Sequence, residues 1–218
     1  MSDENMPPIS NRKSKDTVFT KLFSYLDNVL ELYKDLHPED TTVTEDDIEI
    51  KTLSAVLING IYNDLGFIVN ENGKPKLVML VEAQSSWNPN ITLRILLYLV
   101  ETYSRYIKES KQSVHSSSKI KLPKPELYVI YSGTKKVPNE LSLKEDFFGG
   151  DAPIDLKVKI LTNVDDTIYG QYIGFCKVYD EQRKLHGNSI ECIEETIRIC
   201  LERGYLTVFL NAHKGGGS

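Results

Sequence analysis

The sequence predicts an α/β protein, a mixed sheet with helices on both faces and a wholly helical C-terminal tail. Three observations carry that expectation. Short apolar runs bounded by turn residues alternate with long stretches of helical spacing. An Asn72-Gly73 pair lies between two such runs, the composition that closes a β-hairpin. From Asp166 onward the apolar residues recur at helical spacing. The resulting order is helix, three-strand meander, long helix, strand, strand and helical tail, with the helices layered on a sheet.

Residues 1–15 are polar, contain Pro7-Pro8, and read as a disordered N-terminus outside the core. A helix is expected over residues 17–36, where Val18, Leu22, Leu26, Val29, Leu30 and Leu36 recur, with Asp16 or Thr17 as its cap. Pro38 and an acidic loop end it. Asp47-Ile48-Glu49-Ile50-Lys51 alternates strictly, as a half-buried strand does. Strands over residues 61–69 and 76–84 complete the meander. Asn88-Pro89 supplies an N-cap and an N1 proline for a helix with the stripe Ile91, Ile95, Leu99, Tyr103 and Ile107. Arg94, Tyr98, Glu101 and Arg105 share another of its faces. The Ser/Lys-rich residues 109–121 read as a loop, and residues 127–131 and 156–161 as two further strands.

In the tail, Ile168, Tyr172, Phe175, Tyr179 and Leu185 mark one helix, ended by Gly187. A capping box, Asn188-x-x-Glu191, opens a second that closes at Gly204, and Leu206, Phe209 and Leu210 mark a short last piece. Lys214-Gly-Gly-Gly-Ser218 reads as a linker or tag-like end. The expected organisation is therefore a core over residues 16–162, a helical segment over 163–213, and the end over 214–218.

At 218 residues the chain suits one large domain, or a core with an appendage. No apolar run approaches the ~20 residues that span a bilayer, and the N-terminus lacks a secretory progression, so a cytoplasmic protein with no membrane partner is expected. Cys176, Cys192 and Cys200 form no CxxC and read as buried thiols; the four scattered histidines offer no zinc spacing. The net charge of −5 argues against a general nucleic-acid coat but leaves room for a local positive face. Residues 105–124 carry Arg105, Lys108, Lys111, Lys119, Lys121 and Lys124 against Glu109 alone, either a solvated surface or a phosphate-facing patch.

The chemistry concentrates at Asp64 and at Glu82-Ala83-Gln84, which closes the apolar run Leu77-Val78-Met79-Leu80-Val81. An unpaired carboxylate in such a strand costs several kcal/mol, and a divalent metal shared with Asp64 is the economical compensation. Glu82 and Gln84, two apart, share a face. A turn centred on Gly73 sets Asp64 directly opposite Glu82, with Cβ atoms roughly 4.5–5.5 Å apart. A two-residue Asn72-Gly73 turn sends Asp64 to the other face, so the pairing requires an odd-length loop or a β-bulge. With it, Mg²⁺ or Mn²⁺ finds carboxylate oxygens suited to a hard cation. The alternative is a hydrated Glu82 at a strand end and an Asp64 that caps a turn. Arg94 either contacts phosphate or forms a surface pair, Arg105 pairs with Glu101, Lys21 is a solvated residue, and Trp87 packs over the helix start.

The ordered series of motifs resembles the PD-(D/E)xK nuclease superfamily and, within it, the Rpn (recombination-promoting nuclease, transposase-like) family. The matching stretches are Asp16-x-x-Phe19-x-x-Leu22-Phe23, Asn63-Asp64-Leu65-x-Phe67, Leu80-Val81-Glu82-Ala83-Gln84-Ser85-Ser86, Asn88-Pro89-Asn90 with Leu93-Arg94, Pro125-Glu126-Leu127-Tyr128-Val129-Ile130-Tyr131-x-Gly133, and Cys200-Leu201-x-x-Gly204-x-Leu206-x-x-Phe209-Leu210. The resemblance implies a restriction-endonuclease-like core and Asp64 and Glu82 as metal ligands. It puts Gln84 where most of the superfamily has lysine. Arg94, Lys108 and Lys111, read from helix face and charge, are the candidate nucleic-acid contacts. The resemblance further implies a divalent-metal-dependent DNA endonuclease in recombination or phage defence, often a homodimer, or else a catalytically silent member that serves as a DNA-binding or protein-interaction module. No separate DNA-binding module or third dispersed carboxylate marks a strand transferase.

Overall fold

The computed structural model describes residues 11–51 and 64–213, with side chains from Ser14 onward. The expectations for residues 1–10, for the start of the strand at residues 61–63 and for residues 214–218 lie outside the described residues. The described elements run α1 (Asn11–Leu22), α2 (Leu26–Leu36), β1 (Ile48–Ile50), β2 (Leu65–Glu71), β3 (Lys74–Gln84), α3 (Ile91–Glu109) and β4 (Lys124–Tyr131). They continue as β5 (Glu140–Ser142), α4 (Leu143–Phe148), β6 (Lys157–Leu161), α5 (Ile168–His186), α6 (Ile190–Arg203) and α7 (Thr207–His213). The six strands form one mixed sheet in the order β1-β2-β3-β4-β6-β5. β1, β2 and β3 are the antiparallel meander, β4 and β6 run parallel to β3, and β5 closes the far edge antiparallel to β6.

Period-two alternation sorts the core into two layers. Leu77, Met79 and Val81 of β3, with Phe67, Tyr128 and Ile130, pack under α1, α2, α5, α6 and α7. Val78 and Leu80, with Ile68, Leu127 and Val129, pack under α3 and α4. Residues at even positions of β3 therefore face α3, which decides where Glu82 and Gln84 point.

The β2–β3 hairpin meets the geometric demand made by the sequence. Asn72 and Gly73 both adopt positive φ, 54° and 69°, the signature of a type I′ two-residue turn. Close to that turn Glu71 pairs with Lys74 and Asn70 with Pro75. The register then slips between Val69 and Asn70, so that Val69 pairs with Leu77 and Leu65 with Val81. That bulge brings Asp64, the residue before Leu65, opposite Glu82. A Cβ on Gly73 would meet no atom within 4 Å, so Gly73→Ala is a purely conformational change. It is expected to cost about 1 kcal/mol, measured as a lowered urea midpoint; an unchanged midpoint would refute the strained turn.

The helix expected over residues 17–36 is two helices, and the first begins earlier than Asp16 or Thr17, inside the expected N-terminal tail. Ser24 Oγ donates to the Lys21 carbonyl at 2.7 Å and Asn28 Nδ2 to the Leu22 carbonyl at 2.8 Å. Both take acceptors that a continuous helix would use for its own backbone. In the tail, Ser189 and not Asn188 caps α6, accepting from the Cys192 amide. The three cysteines are free and buried, as expected. Burial pushes the Cys176 thiol up to about 11. No helix among the described residues is long and apolar enough to cross a membrane.

Candidate functional site

Where β3 ends beside β4, the sheet opens into a polar cleft of about 410 Å³, bordered by Asp16, Gln84, Ser85, Ser86, Trp87 and Arg94. Its floor is set by close packing. The Ser132 amide donates to the Gln84 carbonyl at 2.9 Å, continuing the parallel ladder by one residue. A Cβ on Gly133 would lie 2.7 Å from the Ser85 carbonyl oxygen, so only glycine lets these two segments approach. Trp87 meets Tyr131 edge-on at 5.8 Å and packs on the α3 layer; α3 itself begins at Ile91 with Asn90 as its N-cap, two residues beyond the expected Asn88-Pro89 start.

Asp64 and Glu82 interlock across the hairpin. The Asp64 amide donates to Glu82 Oε1 at 3.2 Å, and the Ala83 amide donates to Asp64 Oδ2 at 2.7 Å. Glu82 is fully buried, 0% exposed. Its charge has a partner that the sequence left undecided: Arg94 Nη2 donates to Glu82 Oε2 at 3.1 Å. The guanidinium is steadied by Tyr98, whose hydroxyl accepts from Arg94 Nε at 3.1 Å and from Nη2 at 2.8 Å. Burial works against the charge on Arg94, but Glu82 and then Tyr98 outweigh it and hold the guanidinium above its usual value. Burial, and after it Glu82, likewise raises the Tyr98 phenol. The side chain of Arg94 is 30% exposed, touching Glu82 below and bordering the cleft above.

The structure thus brings together Asp64, Glu82, Gln84 and Arg94, and adds Asp16, one of the two residues expected to cap the first helix. As α1 begins at Asn11, Asp16 sits within the helix, exposed, on the other wall of the cleft. Its appearance in the motif Asp16-x-x-Phe19 was the available signal. Burial, and after it the neighbouring Cys176 thiol, pushes the Tyr172 phenol well above its usual range. Lys108 and Lys111 are exposed at the other end of α3, about 20 Å along the axis from Arg94 at 1.5 Å per residue. Arg105 pairs with Glu101 at 3.0 Å, as expected. Lys21 lies over the Tyr25 ring, away from the cleft.

Among the described residues, no three His, Cys, Asp or Glu side chains gather into a metal cage. The opposed Asp64 and Glu82 carboxylates still suit a hard cation such as Mg²⁺, which is commonly held by one or two carboxylates and completes its shell with water and substrate oxygens. A metal is not needed to compensate the buried charge of Glu82, because Arg94 already answers it.

Comparison with protein-family models, with curated proteins and with solved structures finds no match. The functional reading therefore rests on the geometry and on the motif series.

Proposed function

We propose that this chain is a divalent-metal-dependent DNA endonuclease with a PD-(D/E)xK-type core, akin to the Rpn family. The observation that carries the reading is the bulge-dependent opposition of Asp64 and Glu82 beside a polar cleft. A turn and bulge that serve only to close a hairpin have no need to place two acids face to face. Asp64 and Glu82 would hold Mg²⁺ or Mn²⁺. The ion, when bound, supplies Lewis acidity at a phosphoryl oxygen and a more acidic water. Gln84, at the strand end, donates through its amide to a phosphate oxygen or orients the water. Asp16, across the cleft, accepts from a water or from a donor on the substrate. Being neutral, Gln84 stabilises the negative charge on the phosphoryl oxygens of the transition state less than an ammonium does. The exposed lysines at residues 108–124 suit contact with the flanking backbone of the duplex and confer salt dependence. A homodimer would let two such clefts address two strands.

The test is cleavage of supercoiled plasmid DNA, with an RNA control, by wild type and Glu82→Gln in Mg²⁺. Glu82→Gln keeps the shape of the side chain and removes its charge. Nicking by wild type, abolished by chelation and by Glu82→Gln at a retained melting temperature, is the expected result. Equal nicking by the variant would remove Glu82 from the site.

The second reading has its own observation, the Arg94–Glu82 pair. If the guanidinium is the permanent partner of Glu82, the chain is a catalytically silent DNA-binding or protein-interaction module. Calorimetry with Mn²⁺ separates the two, since a silent module takes up no metal through Glu82.

A further inference from the structure

We propose that Arg94 is an exchangeable cation. It neutralises Glu82 while the site is without metal, and it leaves the carboxylate when a divalent ion arrives, turning into the cleft to meet substrate phosphate. The inference rests on the metal-dependent reading above and adds a regulation to it.

The geometry and charge of the site support the exchange. Glu82 is fully buried and both its oxygens are engaged, Oε1 by the Asp64 amide and Oε2 by Arg94. A metal and a guanidinium held on one carboxylate repel each other strongly at the effective dielectric of a protein cleft, so one displaces the other. Arg94 is suited to be the one that moves. Its side chain is 30% exposed and already borders the cleft that Gln84 and Ser85 share. Its other partner, the Tyr98 hydroxyl, lies one helical turn along α3 and accepts from both Nε and Nη2, so the swing gives up the Nη2 bond that steadies the Glu82-bound pose and can retain the one to Nε. A guanidinium also presents paired donors that match a phosphodiester. The charge that Gln84 lacks at the end of β3 is thereby supplied from α3, and only once the metal is in place. Without metal, Glu82 holds the same group back.

The exchange predicts opposite effects of one substitution on two measurements. Arg94→Gln removes the competitor for Glu82, so Mn²⁺ should bind at least about tenfold more tightly by calorimetry. The same variant loses the phosphate-facing charge, so plasmid nicking in saturating Mn²⁺ should fall by about a hundredfold. Tyr98→Phe keeps both charges and loosens the hold on Arg94. It should tighten Mn²⁺ binding to a smaller degree, and it provides the test if Arg94→Gln fails to fold. Binding of Mn²⁺ that is unchanged or weaker in the folded variants overturns the exchange and makes Arg94 a fixed support for Glu82. Tighter binding with undiminished nicking overturns the phosphate-facing half. The double variant Arg94→Gln, Glu82→Gln guards the underlying reading: if it binds Mn²⁺ as well as Arg94→Gln alone, the metal is not at Glu82 and both the exchange and the nuclease reading fall.

Discussion

Asp64→Asn is expected to lower metal-dependent plasmid cleavage on the order of 10³-fold, about 4 kcal/mol of transition-state stabilisation. The substitution is chosen because the fold should barely register it. Asp64 Oδ2 accepts from the Ala83 amide at 2.7 Å, and an asparagine oxygen in the same place can still accept that bond. The backbone amide of residue 64 continues to donate to Glu82 Oε1. What disappears is the second negative charge, on which a two-carboxylate site for Mg²⁺ or Mn²⁺ depends. The thermal midpoint should therefore move by only a few degrees, corresponding to about 1 kcal/mol or less for a chain of this size. Lost cleavage at a retained midpoint supports the role of Asp64. Cleavage within a few-fold of wild type would show that the interlocked pair is a structural clasp, and the endonuclease reading of this site would be abandoned.

The largest expected effect on stability comes from Asp180→Ala. Lys15 of α1 is 3% exposed, and its ammonium lies 2.6 Å from both carboxylate oxygens of Asp180 on α5. Removing one member of such a pair strands the other as a buried charge, a loss of about 3–5 kcal/mol. The Asp180 side chain is 30% exposed, so water recovers part of the interaction, and about 3 kcal/mol is the appropriate figure. At roughly 2–4 °C per kcal/mol, the melting temperature should fall by about 10 °C. The double variant Lys15→Met, Asp180→Leu removes both charges together and should recover much of the loss. A fall of under about 2 °C in the single variant would show that the pair contributes little. Since Asp16 is the next residue of α1, a loosened Lys15 also loosens one wall of the cleft.

Much of the site was legible before any tertiary structure. β3 was visible as an apolar run closed by Glu82-Ala83-Gln84, because alternation along a strand leaves a local record in the chain. The hairpin was visible in Asn72-Gly73, because only a few residues accept positive φ at both turn positions. Even the need for a bulge followed from counting residues around that turn, and β3 supplies it close to Lys76. Other features left weaker signals. β5 and α4 went unread, since three residues and six residues are too short to display a period. Ser142, three residues before Glu145 and accepting from its amide, and Gly149 at the C-terminal end were the local marks of that helix. The break between α1 and α2 was hidden because the apolar spacing runs on across Ser24, while the interruption is made by side-chain bonds to backbone carbonyls.

The sequence by itself determined the α/β class, that Glu82 and Gln84 share one face of their strand, and the condition under which Asp64 joins them. Those follow from periodicity and turn stereochemistry, which act between residues close together in the chain. Only the tertiary structure decided that Arg94 reaches down from α3 to neutralise Glu82, and that Asp16 arrives on the opposite wall from α1. Each of these depends on how a helix docks against the sheet. Docking is set by the summed packing of two apolar layers, and no local spacing encodes it. That is why the buried carboxylate could be found in the chain and its present partner could not.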